Sequence, residues 1–289
     1  MREPLFTGAC TALVTPFLDG KVNYPMMEQL LRRQIEAGIQ AVVIAGTTGE
    51  SPTLSDYEKI ELFRRCKEYA GSACKIIAGT GTNSTEHAIS LSIAAEKAGV
   101  DGLLVVSPYY NKATPDGIFA HYLSIAHAVS LPLILYNVPT RTGVDIPVSI
   151  YQRLSKIPNI IGVKEASTDI TKIARIKISC GPEFSVWSGN DDQIVPVMSL
   201  GGSGVISVLS NIYPKETNAI CLSAMNGDYD TALALQLQFL SLIDLLFCEV
   251  NPIPVKEAMK CIGYDCGECR LPLSHLTKDH KLQIQKYFS

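Results

Sequence analysis

Eight short apolar runs recur at nearly even spacing along this chain of 289 residues, and that recurrence limits its fold more than any other feature. They fall at Thr11–Val14, Ala41–Ala45, Lys75–Ala78, Gly102–Val106, Leu133–Asn137, Ile160–Lys164, Phe184–Ser188 and Gly204–Val208. Their starts lie 30, 34, 27, 31, 27, 24 and 20 residues apart, which suits repeated strand–helix units. The runs are continuous rather than alternating, as expected of parallel strands covered on both faces. Helix-start chemistry fills the gaps: Asn23 with Pro25, the capping box Ser55-Asp56-Tyr57-Glu58, Thr114-Pro115, and Asp145 as a cap ahead of Ile146-Pro147.

Eight such units close most naturally into an α/β fold of the (β/α)8 TIM-barrel kind, typically about 250 residues long. An open doubly wound sheet is the rival, but no G-x-G-x-x-G opens the first unit. Beyond Val208 another 81 residues continue, with helical periodicity over Asp228–Phe247 and Lys278–Tyr287. One closing helix needs fewer. The expected organisation is a barrel over residues 1–225 and a C-terminal helical extension over 226–289 packed on it.

Composition narrows the class of partner. A hydrophobic fraction of 47% and a net charge of −3 exclude a disordered chain and give no electrostatic reason to expect nucleic acid or an anionic membrane surface. No window approaches about 18 uninterrupted apolar residues, so no membrane span is expected, and Met1-Arg2-Glu3-Pro4 leads into no apolar signal core. Nine cysteines, an odd count in a long chain, read as free thiols in a reducing cytoplasm. Cys261, Cys266 and Cys269 have metal-like spacing but lack a fourth ligand close by, and ordinary thiols are expected there. His87, His121, His127, His275 and His280 form no paired-ligand motif, so no metal is expected.

In a barrel, function belongs at the carboxyl ends of the strands. Those ends carry Gly46-Thr47-Thr48-Gly49-Glu50-Ser51, Ser107-Pro108-Tyr109-Tyr110-Asn111, Tyr136-Asn137-Val138-Pro139 with Thr140-Arg141-Thr142-Gly143, Val163-Lys164-Glu165, and Ser188-Gly189-Asn190-Asp191. Lys164 ends a buried strand, where desolvation would free its amine to form a Schiff base with a ketone; the alternatives are pairing with Glu165 or snorkelling to solvent. Tyr136 and Tyr110 end neighbouring strands and offer hydroxyls for proton transfer, or serve as packing residues. Gly46-Thr47-Thr48-Gly49 can cradle a carboxylate, or simply connect. Arg141 can fork a second carboxylate, or be an ordinary loop arginine. Each signal is modest alone; they converge on one rim.

With these residues in hand, the chain resembles the dihydrodipicolinate synthase family of the pyruvate-dependent class I aldolases, a superfamily that also holds N-acetylneuraminate lyase. The resemblance runs from about Phe6 to the C-terminal helices and is carried by Gly46–Ser51, Tyr136–Gly143, Gly162-Val163-Lys164-Glu165-Ala166 and Asn251-Pro252-Ile253-Pro254-Val255-Lys256. It implies that Lys164 condenses with pyruvate, that Tyr136 is the acid/base hydroxyl, and that Thr47 links it to Tyr110 in a proton relay. It also implies that Tyr110 reaches across a tight dimer interface, with a dimer of dimers as the expected assembly. Thr48 would hold the pyruvate carboxylate, and the backbone around Gly189 and Ile206 would line the bound keto acid. The enamine would attack aspartate semialdehyde, with the imine as electron sink and no cofactor needed, giving 4-hydroxy-tetrahydrodipicolinate on the diaminopimelate route to lysine.

Arg141 discriminates within the superfamily: the synthases use it for the semialdehyde carboxylate, whereas sialic acid lyases typically carry leucine there. The runner-up readings are another pyruvate-dependent aldolase, acting on N-acetylneuraminate or a 2-keto-3-deoxy sugar acid, and a binding protein that keeps the barrel without turnover. The resemblance further places a lysine effector near Ser51, Asp56, Lys59, Asn83, His87 and Tyr109. Sensitive members commonly have histidine where Lys59 stands and glutamate where His87 stands, so weak or absent feedback by lysine is expected.

Overall fold

A computed structural model describes residues 4–289. Eight parallel strands form a closed barrel: β1 Gly8–Ala12, β2 Ala41–Ile44, β3 Lys75–Gly79, β4 Gly102–Val106, β5 Leu133–Asn137, β6 Ile160–Glu165, β7 Ser185–Ser188 and β8 Gly204–Ser207. Each pairs with the next in sequence, and β8 closes on β1 through Gly8↔Gly204 and Cys10↔Ile206. Helices lie between the strands around the barrel, and Tyr229–Leu246, Ile253–Cys261 and Lys278–Tyr287 follow it. A two-residue antiparallel ribbon, Phe17–Leu18 with Lys21–Val22, follows β1.

The unbroken apolar runs are explained by two buried layers. Val42, Ile76, Leu103, Val105, Leu135, Val163, Val186 and Val205 face the helices. Their alternates Val43, Ile77, Leu104, Ile134, Trp187 and Ile206 fill the barrel interior with Cys10 and Ala12. Both faces of every strand are therefore dry, which is why no polar alternation marks them. Asn23, Ser55 and Thr114 cap their helices as expected, and the Ser55–Glu58 box is reciprocal.

Two expectations are corrected. The first strand is Gly8–Ala12, not Thr11–Val14. Small residues with little β preference open it, while Val14 leaves the ladder and gives its N–H to Asn211 Oδ1 at 3.2 Å. Asp145 does not cap the helix Val148–Leu154, whose cap position is Pro147. Its carboxylate is drawn away by Asn137 Nδ2 at 2.8 Å and by Lys172 Nζ.

Candidate active site

Strand parity decides which way Lys164 points. Successive strand residues face opposite sides, and the pairs Tyr136↔Lys164 and Lys164↔Trp187 put all three on the interior face. Lys164 is 5% exposed, with Nζ 4.4 Å from the centroid of the Tyr136 ring, a cation–π distance. It neither snorkels to solvent nor pairs with Glu165. Glu165 faces outward, where its carboxylate accepts hydrogen bonds from Asn137 Nδ2 at 2.7 Å, Tyr151 Oη at 2.9 Å and the Ser167 N–H at 2.9 Å. Lys172 completes that buried group at 3.5 Å. Burial, then the Glu165 charge, pushes the Tyr151 hydroxyl well above the usual phenol range. The network ties β5 to β6 directly behind Tyr136 and Lys164.

A cavity of about 460 Å³ opens at the same rim. Thr47, Tyr136, Arg141 and Thr142 line it together with Tyr109, Lys59, Asp56, Asn83 and His87. The loop that carries Thr47 is bracketed by two left-handed residues, Ala45 (φ 53°) and Glu50 (φ 56°). Such conformations cost energy for non-glycine residues and persist only where surrounding contacts hold them. Here Glu50 N–H donates to Thr47 O at 3.1 Å, Ser51 N–H to Gly46 O at 3.2 Å, and Thr15 Oγ1 holds Gly49 O at 2.7 Å.

Thr48 is not in the cavity wall. It is buried, and its Oγ1 accepts a hydrogen bond from Asn251 Nδ2 at 3.0 Å. Lys164, Gly189 and Ile206 also lie outside that wall: Gly189 follows β7, and Ile206 belongs to the same interior cluster as Tyr136 and Trp187. Gly189 has no room for a side chain, since a Cβ would sit 2.5 Å from Ala166 Cβ. Arg141 sits on the turn of helix Pro139–Thr142 and gives one Nη2 hydrogen to the Asn251 carbonyl at 3.2 Å.

Tyr110 is the site residue that the single chain turns to solvent. It is 88% exposed with φ 72°, turned away while its neighbour Tyr109 lines the cavity. No hydrogen bond joins Thr47 to either tyrosine among the described residues.

Two further groups belong to the site and carried no assigned role in the sequence. Asp191, at the end of the β7 segment, is fully buried; its Oδ2 accepts the N–H groups of Val208 and Leu209 at 2.9 Å each. Burial raises its pKa, against lowering by Ser207, those two N–H groups and the nearby Lys164 charge. Asn251 joins Thr48 to Arg141. Its only sequence signal was membership of the Asn251–Lys256 motif, because its partners lie 203 and 110 residues away. Among the described residues no group of three His, Cys, Asp or Glu side chains is placed to hold a metal. All nine cysteines are free, and burial pushes the thiols of Cys266 and Cys269 up to about 12, which makes them unreactive. No helix among the described residues is long and apolar enough to cross a membrane.

Set beside known proteins, the chain matches over nearly its whole length. The sequence profile of the dihydrodipicolinate synthetase family matches residues 5–289. The 4-hydroxy-tetrahydrodipicolinate synthase of Clostridium novyi is 45% identical over 282 residues, covering 98% of this chain and 95% of its own. That of Caldicellulosiruptor saccharolyticus is 46% identical over 284 residues, covering 98% and 96%. The solved structure of the dihydrodipicolinate synthase (DHDPS) from Cyanidioschyzon merolae with lysine bound superposes with a TM-score of 0.96 at 40% identity, covering 99% of this chain and 98% of that one. Agreement over the whole length, in sequence and in barrel geometry together, assigns the chain: it belongs to the dihydrodipicolinate synthetase family.

Proposed function

We propose that the chain condenses pyruvate with L-aspartate 4-semialdehyde to give 4-hydroxy-tetrahydrodipicolinate, on the diaminopimelate route to lysine. The observation that carries this reading is Lys164, dry inside the barrel with its Nζ against Tyr136. The Lys164 amine adds to the pyruvate C2 carbonyl and loses water as a ketimine. Loss of a C3 proton gives the enamine, whose C3 attacks the aldehyde carbon. Tyr136 hands a proton to the new alkoxide, the semialdehyde amine attacks C2, and ring closure releases Lys164. The covalent imine is the electron sink, so no cofactor is required. Thr48 and the backbone at Gly189 and Ile206 hold the keto acid, Thr47 relays protons from Tyr136, and Arg141 takes the semialdehyde carboxylate.

The proposed enzyme is a cytoplasmic homo-oligomer whose barrel spans residues 1–225 and whose extension spans 226–289. An outward Tyr110 beside a cavity-lining Tyr109 supports completion of each site by a neighbouring copy. A separate apolar stripe of Tyr229, Leu233, Leu237 and Leu240 along one helix supports a second contact, as in a dimer of dimers.

Substrate choice rests on Arg141. The chain should turn over pyruvate with aspartate semialdehyde and should leave N-acetylneuraminate and 2-keto-3-deoxy sugar acids uncleaved in the same assay. Arg141→Leu should lower kcat/KM for the semialdehyde by about 30-fold or more, as expected for an unpaired carboxylate, while the pyruvate KM moves little. Equal turnover of the sugar acids by the unaltered protein would sink the assignment.

Feedback by lysine should be weak or absent. Asp56, the carboxylate of the outer cavity, already has His87 Nε2 at 2.8 Å and Lys59 Nζ at 3.9 Å. An incoming ammonium meets the Lys59 ammonium, an imidazole already hydrogen-bonded to Asp56, and no second carboxylate among the residues of that wall. Initial rates titrated with lysine should hold through the micromolar range; half-inhibition there would defeat the prediction.

A further inference from the structure

We propose that Asn251 sets the hydrogen-bond polarity of the keto-acid carboxylate site and is a positioning residue for the first half-reaction. It sits between the helices Tyr229–Leu246 and Ile253–Cys261, 5% exposed, and touches both residues assigned to substrate carboxylates. Its side-chain Nδ2 donates to Thr48 Oγ1 at 3.0 Å, and its main-chain carbonyl accepts from Arg141 Nη2 at 3.2 Å. Its Oδ1 is buried with no partner among the described residues.

The chemistry follows from counting protons. A hydroxyl carries one hydrogen and two lone pairs. With one lone pair taken by the Asn251 amide, Thr48 keeps its hydrogen, and no hydrogen bond donated by it is found among the described residues. A carboxylate brings only lone pairs and must be met by donors. Asn251 therefore makes Thr48 a donor facing an acceptor-only ligand. The division of labour is also specific: the side chain governs the keto-acid end, while the anchor of Arg141 is main chain and survives any side-chain change.

Asn251→Asp keeps the shape and reverses the polarity. The aspartate accepts the Thr48 hydrogen and adds a negative charge beside the carboxylate site. The pyruvate KM should rise at least about tenfold, and the pyruvate concentration that half-saturates borohydride trapping of Lys164 should rise in step. At saturating pyruvate, kcat and the semialdehyde KM should move less than about threefold. Asn251→Ala should give a smaller rise in pyruvate KM with the same split. A merely structural role would lower kcat and thermal stability without singling out pyruvate.

The inference rests on the reading that Thr48 holds the keto-acid carboxylate, and Thr48→Val tests that reading separately. An unchanged pyruvate KM in Thr48→Val defeats the reading. A raised KM in Thr48→Val with an unchanged one in Asn251→Asp defeats the role of Asn251 alone. Should Asn251→Asp fold poorly, the cycle of Thr48→Val with Asn251→Ala decides. The second change adding nothing to the first supports the coupling, and full additivity overturns it.

Discussion

Lys164→Arg should abolish turnover, by about a thousandfold or more, while leaving a folded barrel. Arginine keeps the charge and nearly the length of lysine, but its guanidinium stays protonated and forms no imine. The contact with the Tyr136 ring at 4.4 Å is one a guanidinium can also make, so fold and packing have a reason to persist. Borohydride with pyruvate should add one reduced adduct to the unaltered protein, and peptide mapping should place it on Lys164. The variant should take up none while its circular dichroism and melting temperature stay near those of the parent. An adduct on another lysine, or none in active protein, would overturn the mechanism. Lys172, held by Asp145 and Glu165 on the outside of the barrel, is a built-in control for selectivity.

Much of this architecture was legible because both faces of the strands are buried. Continuous apolar runs survive as a local signal, and seven of the eight strands begin within a residue of where those runs place them. The first strand escaped because Gly8, Ala9 and Cys10 are small; their place is set by pairing with β8 and β2 across the closed barrel, which no local pattern records. Lys164 and Glu165 show the same division. Their adjacency suggested an ion pair, yet period-two alternation separates them, one to the interior and one to the network with Asn137 and Tyr151. Asp191 and Asn251 were unreadable for a different reason. Their significance lies in which backbone or hydroxyl they hold, over contacts up to 203 residues apart. Tyr110 marks a third limit: the single chain turns it outward, so the proposed relay needs a second copy to bring it in.

Lys256→Met should destabilise the protein by about 3–5 kcal/mol and loosen the Ala45–Glu50 loop with it. Lys256 Nζ lies 2.6 Å from Glu50 Oε1, an ion pair off the line of an aligned hydrogen bond, and both side chains are shut from solvent at 4% and 0% exposure. The Phe17 ring lies 4.3 Å from the ammonium, and Glu50 Oε2 accepts the Arg270 N–H at 2.9 Å. Removing the cation alone strands a buried carboxylate, and that desolvated charge carries most of the cost. Replacing both partners by uncharged groups of similar size removes the stranded charge as well, so Glu50→Gln with Lys256→Met should recover most of the loss. Chemical denaturation of the four proteins measures this directly; two independent, additive losses would contradict it. The functional consequence follows from position. Glu50 is the left-handed residue that ends the loop of Thr47 and Thr48, and Lys256 reaches it from the C-terminal helices. The single variant should therefore show a raised pyruvate KM at temperatures well below its melting point, and the double variant a KM closer to the parent's. The C-terminal segment, remote from the chemistry in sequence, would then act as the brace that keeps two strained residues and the threonines between them in place.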